Sequence, residues 1–238
     1  FVQQNHSCCD FSSNESWIIL SAIEQSIKRK IEAVGIPLKE WNIKINYGIK
    51  TGFNDAFIIS TEKREEILSN CIDEDERERT AAIIRPILRG RDIQRYNYEW
   101  ADKWLISTFP ARHYDIDNFP AIKDFLLSFD IRRLEQTGKE YIISGEKVKA
   151  RKKTNNKWFE TQDSISYWDD FFKPKICWKA VGRNLTFAIV EAGTFLTAPA
   201  SFIQAGGVNE YIMAFLCSNV GRYFIYQNSD TTGAGDIM

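Results

Sequence analysis

Apolar residues near the start of the chain recur at intervals of three and four, and they alternate with polar residues shortly afterwards. Ser21 and Glu24 form a capping-box pair at the beginning of the first pattern. The spacing of the apolar positions that follow predicts a helix over residues 21–34. Strict alternation over residues 41–47 predicts a half-buried strand.

The rest of the pattern predicts short strands interleaved with helices. A glycine-bearing loop at 47–56 precedes the next strand. We expect an α/β (α+β) fold with a mixed, largely antiparallel twisted sheet flanked by helices. The predicted strands are at 57–60, 103–109, 175–179, 185–190, 194–197 and 201–204, and the further helices are at 120–134 (as one helix or two short ones) and 209–227.

Charge is almost balanced overall but divided into blocks along the chain. The 238 residues include 31 Lys and Arg against 32 Asp and Glu, and 44% are hydrophobic, which excludes a disordered chain and a uniformly basic nucleic-acid coat. The net charge is −4 over 61–80, +3 over 85–95 and +6 over 147–157. We interpret the acidic block as a solvated helical face and the two basic blocks as candidate anion-binding segments.

Cysteine and histidine usage argues against a disulfide framework and a zinc site. The five cysteines are odd in number and contain no CxxC pair, and only two histidines are present. Free thiols in a reducing cytoplasm are therefore expected. The polar start does not resemble a signal peptide, and glycines and a proline interrupt the weakly charged stretch 185–209. Because the chain lacks an initial Met and stops at GAGDIM, we expect a fragment truncated at its C-terminus.

Familiar catalytic motifs are absent from the sequence. All six prolines are isolated, so the Asp/Asn-Pro-Pro-aromatic motif of adenine methyltransferases does not occur. No Asp or Glu has Lys two residues later, as a restriction-type nuclease core usually requires. Ile49 stands where a P-loop needs glycine before Lys-Thr. We therefore predict no catalytic residue, metal site or cofactor site in this chain.

Two guanidinium groups at Arg89 and Arg91 are the first candidate DNA contacts. On an extended strand, side chains at i and i+2 share a face, and Gly90 between them permits close approach of a backbone. Arginine forms bidentate bonds to phosphate and to guanine edges. Arg95, in the same basic block, is also a predicted DNA-binding residue. The alternative is intramolecular pairing with Asp92 or with the acidic block.

The block 147–157 is the strongest candidate, because its six cations are interrupted by no acid. Contact of all six with phosphates predicts a fall in affinity of roughly a thousand-fold between about 50 and 200 mM salt. The alternative for residues 147–157 is a mobile solvated loop. The alternative for residues 48–54, the second candidate segment, is a structural turn between strands. The predicted DNA-binding residues of these two segments are Lys50, Thr51, Asn54, Lys149, Arg151, Lys152, Lys153, Asn155, Asn156, Lys157 and Trp158.

Several strings resemble one family. INYGIKTGFNDAFII at 45–59 and IIRPILRGRDIQRYNYEWADKWLISTF at 83–109 are similar to the TaqI-like specificity domain of adenine-specific restriction–modification enzymes. DIDNFPAIKDFL, FFKPKICW and GTFLTAPASFI, at 115–126, 171–178 and 193–203, extend the resemblance over most of residues 40–227.

This resemblance implies a target-recognition domain at 41–238, preceded at 1–40 by a helical segment that connects it to an upstream methyltransferase domain. Double-stranded DNA and that upstream domain are the implied partners, in a cytoplasmic bacterial defence system with no membrane. S-adenosylmethionine, with Mg²⁺ if a nuclease is fused, is implied for the parent enzyme only. Target readout is expected in the divergent segment 145–168. The alternative is a protein-interaction or scaffold domain that uses an aromatic-rich surface.

Overall fold

Within residues 20–182, 185–227 and 229, which the computed structural model describes, the strands form two four-stranded sheets and one hairpin. The first sheet has the order β1-β10-β7-β8 and is antiparallel throughout. Its strands are β1 (Lys44–Tyr47), β7 (Lys175–Lys179), β8 (Phe187–Val190) and β10 (Ala200–Gln204).

The second sheet has the order β2-β4-β3-β9, in which only the β3–β9 pair is parallel. A parallel bridge between Ile49 and Thr197 joins the chain after β1 to the chain after β9, so the two sheets meet there. The strands are β2 (Ile58–Ser60), β3 (Ile84–Leu88), β4 (Lys103–Ile106) and β9 (Phe195–Leu196), and the separate hairpin is β5 (Glu140–Ile143) with β6 (Glu146–Lys149).

Helices lie around these sheets, and the predicted mixed, mainly antiparallel α+β fold is confirmed. The α-helices are α1 (Ala22–Val34), α2 (Asn54–Phe57), α3 (Thr61–Ser69), α4 (Glu74–Ile83), α5 (Pro120–Leu127), α6 (Ile131–Leu134), α7 (Asn209–Cys217) and α8 (Asn219–Gln227). Short 3₁₀ turns occupy Leu38–Glu40, Gly90–Asp92, Pro110–Arg112, Ile116–Asn118, Trp168–Phe172 and Gly206–Val208.

Aromatic rings join the two sheets in one core. The Phe171 ring stacks on Phe195 of β9 with centroids 4.5 Å apart and contacts Phe202 of β10 at 4.8 Å. Such pairs contribute about 0.5–1.5 kcal/mol beyond the area they bury. A smaller cluster that includes Ile176, Phe187 and Leu216 packs between the outer side of the first sheet and α7. The sheets therefore form a rigid base for the loops at 48–54 and 197–200.

The first predicted helix is confirmed together with its cap. The Ser21 hydroxyl accepts from the Glu24 N–H, and the Glu24 carboxylate accepts from the Ser21 N–H at 2.8 Å. The strand predicted from residue 41 is shorter and begins at Lys44, because Trp41 ends a 3₁₀ turn instead. Its indole N–H donates to the Ile36 carbonyl at 3.3 Å.

Two other predicted elements differ in type or continuity. Phe57 ends the short helix α2 and does not begin a strand. The helix predicted over 209–227 is divided into α7 and α8 at Ser218, whose hydroxyl and amide both donate to the Phe215 carbonyl. Residues 120–134 form the two short helices α5 and α6, which was one of the two predicted forms.

The acidic block is helical and mostly exposed, but Glu76 is 2% exposed. Its carboxylate accepts from the Ile72 N–H at 2.7 Å and from the Ala121 N–H at 2.8 Å, so it joins α4 to the start of α5. The interpretation of this block as a wholly solvated face is therefore wrong for Glu76. Two backbone donors compensate the burial of its charge.

Cys177 and Cys217 are buried free thiols and Cys71 is a half-buried one, as expected; Cys8 and Cys9 lie outside the described residues. Burial raises the pKa of Cys177 to about 12. In the described ranges, no His, Cys, Asp and Glu side chains are grouped to hold a metal ion, and none of the helices has the length and apolar character to cross a membrane.

Candidate nucleic-acid interface

A cleft of about 710 Å³ lies where the loop after β1 meets the segment that follows the hairpin. We call residues 48–54 the glycine loop and residues 147–157 the basic segment. Both contribute to the cleft, and the predicted residues Lys50 and Asn156 lie in its wall. The lining residues are Tyr47, Gly48, Lys50, Thr154, Asn156, Gln162, Asp163, Ser164, Ile165, Tyr167, Ala180, Ala198, Pro199 and Ala200.

The glycine loop is held against the chain that follows β9. The Gly48 and Ile49 N–H groups donate to the carbonyls of Ala200 and Leu196, both at 2.7 Å. A Cβ atom on residue 48 would overlap the backbone of Thr197 and Ala198. Only glycine permits this close approach of two backbones.

Thr51 and Asn54 organise the glycine loop internally. The Thr51 hydroxyl donates to Asn54 Oδ1 at 2.7 Å and accepts from the Phe53 N–H at 3.2 Å. Thr51 is 1% exposed, so it fixes the start of α2 and does not face solvent. Lys50 and Asn54 are exposed. Both also line an adjoining cleft of about 360 Å³.

Arg151 lies inside the protein, unlike the lysines around it. It is 4% exposed, and all five guanidinium N–H groups donate to backbone carbonyls. Burial lowers its pKa to about 10, so it remains charged at neutral pH. In this structure Arg151 therefore links backbone segments inside the protein, and its guanidinium is not free to bind phosphate. The accepting carbonyls belong to Thr51, Leu134, Trp158 and Glu160.

The lysines of the basic segment lie on the surface. Lys147 forms an ion pair with Glu140 across the hairpin at 2.7 Å. Four others are exposed and form no ion pair within the described part of the chain, so their charges are available to an anion; Lys157 also lies 5.4 Å from the Phe159 ring centroid. These four are Lys149, Lys152, Lys153 and Lys157. Gln136 fixes the backbone between them, since its amide donates to the Lys157 and Glu160 carbonyls and its Oε1 accepts from Thr154.

Asn155 is exposed, whereas Asn156 and Trp158 are half-buried. The side-chain amide of Asn156 donates to the Thr161 and Gln162 carbonyls at 3.3 and 2.9 Å, so its N–H groups are occupied within the protein. Trp158 packs against the core and makes an edge contact with Phe159 at 5.5 Å. Asn156 therefore shapes the wall of the cleft, whereas Trp158 is a core residue and does not line it.

The prediction that Arg89 and Arg91 share a face of an extended strand is wrong. Residues 90–92 form a 3₁₀ turn, and the Arg89 guanidinium makes a bidentate pair with Asp92 at 2.7 and 2.9 Å. This bonding raises the pKa of Arg89. Arg95 donates to the Cys217 carbonyl at 3.2 Å, while Arg91 is exposed. None of residues 89–95 lines either cleft.

The structure adds residues that sequence reasoning did not name individually. Residues 162–165 fall inside the segment 145–168 expected to carry readout, but no run of charges and no motif marked them. Tyr167 donates its hydroxyl to the Tyr47 carbonyl at 2.9 Å, and burial with nearby Asp163 raises its pKa to about 12. Tyr47 remains 71% exposed at the rim.

Comparison with known proteins finds no sequence match and a weak structural likeness. No family model matches the sequence, and no curated protein matches it. Among solved structures, the chain is similar to the Type IIL restriction–modification enzyme MmeI in complex with DNA, with a TM-score of 0.40 and 10% identity. The match covers 74% of this chain and 20% of that enzyme's chain. At this TM-score and identity the likeness says nothing about the site.

Proposed function

We propose that this chain binds double-stranded DNA sequence-specifically, as the target-recognition domain of a cytoplasmic adenine-specific restriction–modification enzyme. The supporting observation is the cleft that brings Lys50 of the glycine loop beside Thr154 and Asn156 of the basic segment. On this proposal the chain performs no catalysis. An upstream methyltransferase domain, which binds S-adenosylmethionine, modifies the adenine, and Mg²⁺ serves a nuclease where one is fused.

Five exposed lysines supply the phosphate contacts in this proposal: Lys50 and the four free lysines of the basic segment. Arg151 and Lys147 are engaged within the protein, so the number of available cations differs from the sequence-based count. Five phosphate contacts give a slope of log affinity against log salt of about −4.5. Affinity then falls roughly 500-fold between about 50 and 200 mM salt.

The test is fluorescence anisotropy of a labelled mixed-sequence duplex over a salt series. We expect the double variant Lys152→Ala/Lys153→Ala to weaken binding uniformly across sequences and to make the slope shallower by about 2. The matched control is Lys30→Ala/Lys39→Ala, which removes two exposed lysines away from the cleft. Unchanged affinity and slope for the first variant would contradict the assignment of the basic segment.

A protein-binding module is the second candidate, because an apolar groove of about 310 Å³ lies between the end of α1 and α7. Val34 and Tyr211 in its wall are 85% and 66% exposed. This function predicts a stable protein complex that is lost in Tyr211→Ser, together with salt-insensitive and negligible binding to duplex DNA. The anisotropy series distinguishes the two functions.

A further inference from the structure

Residues 162–164 form the polar wall of the cleft and are fixed in place from several directions. Asn156 donates to the Gln162 carbonyl at 2.9 Å, and the Ala111 N–H donates to the Ser164 carbonyl at 3.1 Å. The Thr161 hydroxyl donates to the Asp163 carbonyl at 3.0 Å. The backbone carbonyls of residues 162–164 are thus hydrogen-bonded within the protein, and the three side chains belong to a segment that is already fixed before any ligand binds.

The polar side chains of this wall keep bonding capacity that the described protein does not use. The amide of half-buried Gln162 and the hydroxyl of Ser164 have no hydrogen-bond partner within the described residues. One carboxylate oxygen of Asp163, Oδ2, accepts from the Lys50 N–H at 3.3 Å, and Oδ1 accepts from no described group. These free groups line the same space between the glycine loop and the basic segment.

The chemistry of the free groups selects one part of a nucleic acid. A carboxylate only accepts hydrogen bonds and repels phosphate, so Asp163 fits a base-edge donor and not the backbone. In the major groove those donors are the N4 amino group of cytosine and the N6 amino group of adenine. Gln162 offers a donor and an acceptor together, which matches the N6/N7 edge of adenine.

We propose that Gln162 and Asp163 are specificity-determining residues that read an amino-bearing base edge, adenine or cytosine, within the bound duplex. This inference rests on the proposed function, since it requires DNA in the cleft. The lysines position the duplex by its phosphates, whereas residues 162 and 163 set the base preference. Asn156 acts as a positioning residue behind them.

The experiment first selects preferred duplexes from a random pool with the wild-type protein. Affinity is then measured for a preferred duplex, for duplexes with single base-pair changes and for a mixed-sequence duplex. We expect Asp163→Asn to weaken the preferred duplex by roughly 5- to 150-fold and to flatten its preference at one position. Affinity for the mixed duplex does not fall, because the variant removes a carboxylate that repels phosphate, and the salt slope keeps the value set by the lysines.

Asp163→Asn keeps an oxygen for the Lys50 N–H, so the glycine loop is retained. Gln162→Ala is the second variant and is expected to flatten the preference for adenine at one position. Asp75→Asn removes an exposed carboxylate from α4 and is the matched control, with no expected change in preference. Urea unfolding of each variant confirms that the fold is intact.

The outcomes separate the two proposals. Salt-dependent DNA binding with an unchanged base preference in both variants overturns the role of residues 162 and 163 and leaves the proposed function standing. Equal weakening of preferred and mixed duplexes also overturns it, because a base reader does not act on every sequence alike. The absence of salt-dependent binding in the wild type overturns both.

Discussion

Two positively charged segments differ in how the fold uses them. In residues 85–95, which we call the arginine segment, Arg85 lies 5.1 Å from the Phe172 ring centroid, Arg89 pairs with Asp92 and Arg95 donates to Cys217. In the basic segment, Arg151 is the one buried cation, and four exposed lysines form no ion pair in the described structure, although Lys157 lies 5.4 Å from the Phe159 ring centroid. Charge density in a sequence therefore does not measure the charge available to a ligand. The planar, multidentate guanidinium favours internal bonding, and the single ammonium group favours the surface.

The largest expected effect comes from the one buried arginine of the basic segment. Arg151→Met leaves the carbonyls of Thr51, Leu134, Trp158 and Glu160 without their donor. We expect the free energy of unfolding to fall by about 3–5 kcal/mol, because several backbone carbonyls lose their hydrogen bonds to a charged donor at once. Urea denaturation measures it. Lys152→Met in the same segment is the control, and its free energy of unfolding should stay within about 0.5 kcal/mol of wild type. Equal losses of stability in the two variants would contradict the distinction between the buried arginine and the exposed lysines.

Within the arginine segment, Arg89 and Arg91 are expected to separate clearly. Arg89→Met removes charge-assisted bonds to Asp92, which is 6% exposed. The expected loss of stability is about 1.5–3 kcal/mol, whereas Arg91→Met should change it by less than about 0.5 kcal/mol. Thermal and urea unfolding of the two single variants check this. A larger loss of stability in Arg91→Met than in Arg89→Met would contradict the assignment of Arg89 as the paired residue and Arg91 as the exposed one.

The smallest effect concerns a lysine that behaves like Arg151. Lys175 is 0% exposed and donates to the carbonyls of Phe171, Lys173 and Glu191 at 2.8–3.2 Å. Burial lowers its pKa from 10.5 to about 8. Below pH 8 both folded and unfolded states bind the proton, and between 8 and 10.5 the unfolded state binds more. Stability from this group therefore rises with pH.

The expected gain from Lys175 is roughly 1 kcal/mol between about pH 7.5 and 9. It is measured as the difference between the wild-type and Lys175→Met unfolding curves, because other groups titrate in both proteins. If the free energies of unfolding of the two proteins changed with pH in parallel, the Lys175 ammonium would have the same pKa in the folded and unfolded states. Its burial would then carry no energetic penalty, and the prediction would be wrong.

Local signals predicted the elements that local interactions determine. The capping box at Ser21 and Glu24 is formed by residues three apart, and it is found as predicted. The predicted strand at 175–179 matches β7. The turn at 90–92 was not predicted, but its Arg89–Asp92 pair was one of the two alternatives that the sequence left open. Spacing alone gave no reason to prefer that pairing to an extended strand.

Distant partners determine the elements that sequence reasoning missed. Arg151 is the one arginine of the basic run, but the run itself does not reveal that it is buried, since one of its acceptors is Thr51, 100 residues away. The burial of Glu76 depends in the same way on Ala121. For the cleft, the glycine loop and the basic segment were identified in advance. The wall formed by Gln162–Ser164 was not identified, because only the folded structure shows that these polar residues face the cleft.

The pairing of Lys50 with Asp163 across 113 residues has a consequence for how the protein acquires its shape. The loop between these groups and the still longer loop that pairs β1 with β10 must both close, and closure of this kind slows folding. The sheets hold the two sides in register, so we expect them to assemble first and the cleft to close last. Refolding followed by hydrogen exchange would then show protection of β10 before protection of the Lys50 amide.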